Sequence, residues 1–374
     1  GINIATDAKA SVESYLGAGS QVYVSDKNLY VTANYYPVGP RRLVAPSASD
    51  TGVSSSASVS DTSRIFKFAL DQGKVTYCAQ GEVPGRILNQ FSMDENNGYF
   101  RAATTIENYG AINAPQSSNS LYVMDGNLKV IGKVEDIAPG EKIYSARFLG
   151  DRAYMVTFRT VDPFYVIDLK SPTRPQILGA LKIPGYSDYL HPYDANHVIG
   201  FGKDTIELSS QYAKDQTNAY YLGMKMALFD VTDVKKPKQE FVEIIGDRGT
   251  DSELLHNHRA LLFSREKNLI AFPVSLHQVE GSKVDQNGAF PSYGAFTWQG
   301  AYVYSLDLKN GFELKAKISH MNSEDYLKAG YNGYDYRKSV QRILYIQDTL
   351  YTLSPAMIKA NALENFEEIG GIAF

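Results

Sequence analysis

An all-β architecture of repeated four-stranded units is what this sequence predicts, and three observations predict it. Short runs rich in Val, Ile, Tyr, Phe and Thr alternate apolar with polar residues between Gly, Pro, Asp and Asn punctuation, as half-buried strands do. Long amphipathic helical patterns are absent; the nearest candidate, SEDYLKAG (323–330), is short and breaks at Gly330. The third observation is a phrase written twice. In YVIDLKSPTRPQILGALKIPG (165–185) and LFDVTDVKKPKQEFVEIIG (228–246), an apolar run ends at an Asp (Asp168, Asp230). A Pro follows at the same spacing (Pro175, Pro237), and a second apolar run closes near a Gly.

Taken in order, the runs group in fours. QVYVSDKN, LYVTANYY, RIFKFAL and KVTYCAQGEV make a module over about 21–83. LNQFSM, YFRAATTI, SLYVMD and LKVIGKVED make the next, about 88–137, with tight DENNG and GN turns. IYSARFLG, DRAYMVTF, PFYVIDL and QILGALKI follow over 143–184, then SDYLHPYD, HVIGFG, KMALFDV and QEFVEII over 187–246. HRALLFSREKN, LIAFPVS, AYVYSLDL and FELKAKISH span 256–320, and SVQRILYIQD, LYTLS, AMIKANAL and FEEIGGI close the chain over 339–374. VPG (83–85), APG (138–140) and IPG (183–185) separate modules. Such a small sheet cannot cover both of its faces alone, so neighbours must stack around an axis, which is a β-propeller. The repeated phrase is then the outer half of a blade: third strand, turn, fourth strand. INIATD and ASVESYL, within 1–16, read as a two-strand stub of a preceding blade. The chain is therefore expected to be one propeller domain (1–374) with six complete modules. The intact protein would have seven or eight blades, an upstream segment completing the ring.

Bulk composition excludes several classes. Of 374 residues, 44% are hydrophobic and 21% charged, ordinary for a globular protein. Net charge is −4 and no Lys/Arg block occurs, which argues against a nucleic-acid partner. No apolar run reaches the ~18 residues of a membrane span. The lone Cys78 forms no internal disulfide and does not fix the redox compartment. Gly1 opens in mid-pattern, so the lack of a visible targeting signal carries no weight. The 27 Tyr against one Trp suit half-buried strands and adaptable recognition surfaces.

Several long phrases resemble the secreted β-propeller domain family of bacteria and archaea, distantly related to WD-type repeats. They are YLGAGSQVYVSDKNLYV, EVPGRILNQFSMDENNGYFRAATT, IYSARFLGDRAYMVTFRTVDPFYVIDL, IPGYSDYLHPYDANHVIGFGKDT and IIGDRGTDSELLHNHRALLF. The resemblance covers nearly the whole chain. It implies an extracytoplasmic or cell-surface location and further blade-forming sequence upstream. It brings no activity, cofactor or catalytic set, so no site residue is transferred.

Function is sought in the loops. In a blade, the connection between strands two and three shares a face with the connection between blades. The longest excursions fall there: 37–63, 107–119, 203–223, 276–300 and the inter-blade stretch 321–338. Loops beyond ~12–15 residues are uncommon in compact domains. Their aromatics, Tyr35, Tyr36, Tyr212, Tyr220, Tyr221, Tyr293, Trp298, Tyr331, Tyr334 and Tyr336, suit sugars and extended peptides. The Ser-rich part of the first loop reads as neutral insertion. Near the upstream ends of innermost strands stand Gln90, Arg147, His191, His258 and Arg342, with Arg159, Asp162, Lys203 and Asp204 nearby. These would ring the mouth of a central channel, either as a hydrated polar lining or as a pocket for a polar or anionic ligand.

Chemistry-bearing motifs are scarce. His256 and His258 would share one face of a strand, but with six His in all and no Cys near, neither a metal nor another cofactor is expected. DENNG and VDQNG lack the calcium-loop pattern. Asp125, Asp168, Asp230 and Asp307 recur at third-strand ends, where they start turns. No GxSxG, HExxH, P-loop or dinucleotide fingerprint occurs. The expected function is thus a non-catalytic binding scaffold, secreted or at the cell surface, for a protein or envelope polysaccharide. The rivals are a polysaccharide-acting hydrolase or lyase at the channel mouth and a structural surface-layer module.

Overall fold

The computed structural model describes residues 12, 14, 15, 17, 19–35, 61–107, 115–158, 162–209, 217–284, 290–329 and 335–374. Six antiparallel sheets follow one another, each with its strands side by side in chain order. The first is β1 (Gln21–Val24), β2 (Asn28–Tyr35), β3 (Thr62–Asp71) and β4 (Lys74–Pro84). The second holds β5 (Arg86–Ile87), β6 (Met93–Asn96), β7 (Tyr99–Glu107), β8 (Ser117–Met124) and β9 (Val130–Ile137), with β5 and β6 both pairing β7. The third is β10 (Lys142–Leu149), β11 (Arg152–Phe158), β12 (Asp162–Asp168) and β13 (Gln176–Ile183). The fourth is β14 (Tyr186–Pro192), β15 (His197–Ser209), β16 (Thr217–Asp230) and β17 (Lys238–Ile245). A short helix α1 (Glu253–His256) leads to the fifth: β18 (Leu262–Ser264), β19 (Leu269–Gln278), β20 (Ala295–Asp307) and β21 (Gly311–Ile318). Helix α2 (Ser323–Ala329) precedes the sixth: β22 (Arg342–Ile346), β23 (Thr349–Ser354), β24 (Met357–Ala362) and β25 (Glu368–Ala373).

Burial is greatest in middle strands. Every residue of β8 is buried and all but the first of β11, whereas β25 is exposed throughout. β8 and β11 are covered on both faces, which is why LYVM and AYMV read as continuous apolar runs, whereas β2 and β23 alternate. The chain divides into two compact units, Gly1–Arg159 with Tyr165–Leu178, and Thr160–Phe164 with Gly179–Phe374. In the first, Tyr30 stacks on Phe100 at 4.4 Å, and Leu121 and Val123 cluster with Phe148, Met155 and Ile167. In the second, Phe164 stacks on Phe229 at 4.5 Å, Phe201 meets Phe272 edge-on at 5.6 Å, and Ala301 and Val303 pack with Ile343 and Leu350.

Three sequence expectations need correction. LNQFSM is not a strand start: Gln90–Ser92 form a 3-10 turn that splits the inner strand, because Asn89 accepts a hydrogen bond from the Phe91 amide. Likewise HRALL begins as a 3-10 turn, His258–Ala260, after α1. The excursion at 203–223 is largely strand and that at 276–300 is strand at both ends: β15 and β16 pair out to Ser209 and Thr217, and β19 and β20 out to Gln278 and Ala295. Of the stub at 1–16, only Val12, Ser14 and Tyr15 are described residues.

The repeated phrase has a steric meaning. A Cβ at Gly132 of β9 would overlap the Pro172 carbonyl, and one at Gly179 of β13 would lie 2.5 Å from the Val234 carbonyl oxygen. Each outer strand thus leaves a gap for the Pro-bearing turn of the next sheet. At β17 the relation inverts: Phe241 fills the place, and the facing turn carries Gly311, whose added Cβ would lie 2.7 Å from the Phe241 ring. Gly179→Val is therefore expected to cost about 1–3 kcal/mol by overpacking, read by urea denaturation. Gly126→Ala, with nothing within 4 Å, serves as the neutral control; equal effects of the two would refute the steric account.

Candidate functional site

β14 reads YSDYLHP and is buried at Tyr186, Ser187, Tyr189 and Leu190, yet it carries Asp188 at its centre. The register explains this. Ser187 pairs with Gly202 and Tyr189 with Phe201, so Asp188 is the extra residue of a β-bulge, a feature that re-aims a side chain. Gly202 permits the bulge, since a Cβ there would overlap the Tyr186 carbonyl. The third sheet bulges at the same step of its inner strand, where Tyr144 takes the place.

Asp188 sits among charges. Burial is the largest influence on its carboxyl and raises its pKa; His256 and Lys203 oppose that, Asp251 adds to it, and the result is pushed up to about 7. Among the described residues, no group donates a hydrogen bond to this carboxyl. Asp251 behaves oppositely. Burial pulls its pKa upward, but Lys203 and His256 outweigh burial and hold it below the usual carboxylate range. Lys203 Nζ donates to Asp251 Oδ1 at 2.8 Å and to the Thr250 carbonyl, and His256 Nε2 lies 3.2 Å from Asp251 Oδ2. Two carboxyls in one locale are thus shifted in opposite directions, as acid and base partners are.

The segment bearing Asp251 is pinned. Asp251 and Ser275 exchange backbone hydrogen bonds, and buried Thr250 donates its hydroxyl to the His277 carbonyl while accepting the His277 amide. Ser252 caps α1 by accepting from the Leu254 amide, which fixes Glu253 and His256 on that single turn. A cleft of about 180 Å³ opens here, lined by Asp251, Glu253, His256, Gln299, Tyr336 and Ser339. Ser339 Oγ is buried and has no hydrogen-bond partner among the described residues. Arg342 Nη1 reaches Glu253 Oε1 at 3.7 Å.

On the same pinned segment, Arg248 is held between aromatic rings. Its guanidinium lies 4.0 Å from the Tyr293 ring centre and 5.7 Å from that of Tyr220, and Nη1 donates to the Pro291 carbonyl at 2.7 Å. Phe290 packs edge-on to Tyr220, and Tyr293 is 64% exposed. The result is an exposed aromatic and cationic platform.

The sequence-derived residues separate into groups. Arg147 lies over the Phe91 ring at 4.8 Å, beside half-buried Gln90. His191 and His258 flank Tyr189, whose hydroxyl lies 3.1 Å from His191 Nδ1. Lys203 belongs to the Asp251 cluster and Arg342 to Glu253. They do not share one level of their strands: Arg342 opens β22, whereas His191 is next to last in β14. Nor do His256 and His258 share a strand face, since one ends α1 and the other starts a 3-10 turn. Tyr35 carries Arg64 over its ring at 4.6 Å, and Tyr221 is edge-on to Tyr186. Trp298 is a strand residue under the Lys317 ammonium at 4.5 Å. Arg159, Tyr36, Tyr212, Tyr331 and Tyr334, and the side chain of Asp162, lie outside the described residues. Sequence reasoning missed Asp188, Asp251 and Arg248. The available signal was an acid inside an otherwise apolar inner strand.

A sequence model described as the beta propeller domain matches residues 1–366. The chain belongs to the beta propeller domain family. Relatives at similar distance are archaeal. One, an uncharacterized protein of Archaeoglobus fulgidus, is 33% identical over 83% of this chain and 38% of its own length. Another, an uncharacterized protein of Methanocaldococcus jannaschii, is 35% identical over 71% of this chain and 41% of its own. The chain thus spans about two-fifths of the length of these relatives. Among solved structures, the WD40 domain of Pan2 from Neurospora crassa aligns over 93% of this chain and 76% of its own, with 10% identity and a TM-score of 0.39. Among the described residues, no helix is long and apolar enough to cross a membrane.

The sign of the pH dependence at Asp188 follows from its raised value. A carboxyl that binds its proton more tightly when folded contributes fully below its unfolded pKa of about 3.9, and that contribution is lost as pH rises through the folded value. Asp188→Asn keeps the neutral shape. It is expected to raise the melting temperature at about pH 8 and to leave it unchanged at about pH 3. An equal gain at both pH values would show that ionisation of Asp188 is not what the fold resists.

Proposed function

We propose that this propeller is a binding scaffold, secreted or displayed on the surface of a bacterial or archaeal cell, that engages a protein or an envelope polysaccharide. The observation that carries the reading is the exposed platform of Tyr220, Phe290, Tyr293 and Arg248 on the segment that also bears Asp251. Amphipathic rings with a fixed cation make a surface for sugar faces or extended peptide. The neighbouring cleft supplies carboxylates and an unpaired hydroxyl for polar groups. A Tyr220→Ala/Tyr293→Ala pair is expected to weaken capture by roughly 10-fold or more in a pull-down from an archaeal envelope fraction paired with a glycan array. Undiminished capture by that folded variant would remove the platform from the reading.

One observation favours a second reading, a hydrolase or lyase acting on polysaccharide: the Asp188 carboxyl is pushed up to about 7 while that of Asp251 is held below the usual carboxylate range. In that case Asp188→Asn abolishes turnover of a captured glycan and spares its binding; the scaffold reading requires no turnover by the wild type.

The first sheet also presents an apolar cleft of about 530 Å³ lined by Leu29, Val31, Phe66, Phe68, Val75 and Tyr77, with Tyr15 lying against Phe68. We read it as the seat of another blade from the same polypeptide, since the relatives extend well past the matched region. Co-expressing this chain with the preceding part of its polypeptide should raise its melting temperature by several degrees; no rise would count against that seat.

A further inference from the structure

Away from the cleft, at the opposite end of the fourth sheet, three neighbouring strands each place one metal-ligating side chain together. His197 opens β15, Asp230 closes β16 and Glu240 lies in β17. His197 and Asp230 are direct partners across the ladder, and Asp230 in turn pairs with Lys238. Glu240 would not ordinarily reach them. Leu228 pairs with Phe241 and Phe229 with Gln239, so Glu240 is the extra residue of an outer-strand bulge. The bulge turns its carboxylate back along the sheet, to 3.8 Å from His197 Nε2. One ligand atom from each of the three residues lies within 4.8 Å of the others. Donors bound tetrahedrally at Zn–N and Zn–O lengths of about 2.0–2.2 Å sit roughly 3.3 Å apart. The His197–Glu240 pair is already close to that spacing.

A second feature orients the imidazole. Its Nδ1 lies 2.9 Å from Asp194 Oδ1, and Asp194 is itself fixed by the Asn196 amide at 2.8 Å. A carboxylate on Nδ1 sets the tautomer that leaves Nε2 free to bind a cation, an arrangement usual behind metal-bound histidines. The side chains of His197 and Asp230 are each 15% exposed, so the group is largely covered yet still reaches solvent. Two groups already hold Asp230: the Thr232 amide donates to Oδ1 at 2.8 Å, and a lysine ammonium approaches Oδ2. Lys238 Nζ sits 3.1 Å from Asp230 Oδ2, but its side chain is 62% exposed, and such surface pairs contribute little.

We infer that His197, Asp230 and Glu240, with Asp194 behind the histidine, form a binding site for a divalent first-row transition cation of the zinc type, its remaining position open to water. One imidazole and two carboxylates suit that class, and the outer-strand bulge is what assembles them.

The test titrates Zn²⁺ alone into the intact chain, by calorimetry and by chelator competition. One equivalent should bind saturably. His197→Ala and Glu240→Gln should each weaken binding at least about 10-fold, and Asp194→Asn about 10–100-fold. Lys238→Ala removes the competing ammonium and should tighten binding. His256→Ala, at the separate Asp251 cluster, should leave it unchanged. Absence of saturable one-equivalent binding overturns the site, as does binding lost with His256→Ala but kept with Glu240→Gln. Should His197→Ala fail to fold, Glu240→Gln on the outer strand still decides: unchanged affinity overturns the site.

Discussion

A four-stranded sheet of this size has two apolar faces and no means of covering either by itself. That constraint sets almost everything else in the molecule. Each sheet meets the next through a few large buried side chains from its middle strands: Tyr30 on Phe100, Phe148 with Leu121 and Val123, Phe164 on Phe229, Phe201 on Phe272. Stacked and edge-on ring pairs of this kind add about 0.5–1.5 kcal/mol beyond their buried area. They also fix the distance between sheets, and so decide where the outer strands can tolerate a side chain. Gly132 and Gly179 sit where the next sheet's turn approaches, and Phe241 against Gly311 shows the same gap closed from the other side.

Rigid stacking leaves function to the strand ends and to irregularities in the ladders. The Asp251 segment illustrates the first. Thr250, Asp251 and Asp247 are each tied by hydrogen bonds to β19 or to Val279 just beyond it, so Arg248 and Asp251 project from a fixed backbone in different directions. Asp188 illustrates the second. A regular β14 would have put its side chain into the apolar interface or turned its neighbours outward. A one-residue bulge does neither, and so a carboxyl can sit beside buried tyrosines without disturbing them.

Much of this was legible in the sequence. All six sheets can be read from apolar patterns: strands covered on both faces, such as β8 and β11, are apolar along much of their length, and β2 and β23 alternate. Inner-strand starts were less legible. Asn89, Ser252 and Asn257 each accept a hydrogen bond from an amide two residues on and convert an apparent strand start into a helical turn. Ser252 followed by Glu253 is a helix-start signal, hidden by the apolar run behind it. Polar excursions misled in the other direction, since Lys203, Tyr220 and Trp298 lie on extended hairpins where cross-strand pairing overrides composition. The grouping of site residues was not legible at all. Lys203 finds Asp251 and Arg342 finds Glu253 only because strands from different sheets end near α1, and no spacing along the chain encodes that.

The bulges join the fold to its chemistry. Outer-pair register shifts recur at Lys67/Phe68, Val123/Met124, Leu228/Phe229, Val303/Tyr304 and Ala360/Asn361, in five of the sheets. A bulge increases local twist and bends the outer strand away from flat edge-to-edge pairing, which protects an exposed edge from joining another chain. Its recurrence therefore has a structural cause independent of any ligand. In the fourth sheet alone, the residues at both the inner and outer bulges are acids, Asp188 and Glu240. Because the bulged backbone is already required, an acid there costs no ladder hydrogen bond that the sheet would otherwise keep. A device needed for stacking and solubility thus gives this sheet two re-aimed carboxylates, one at each end, while the apolar interface between them stays intact.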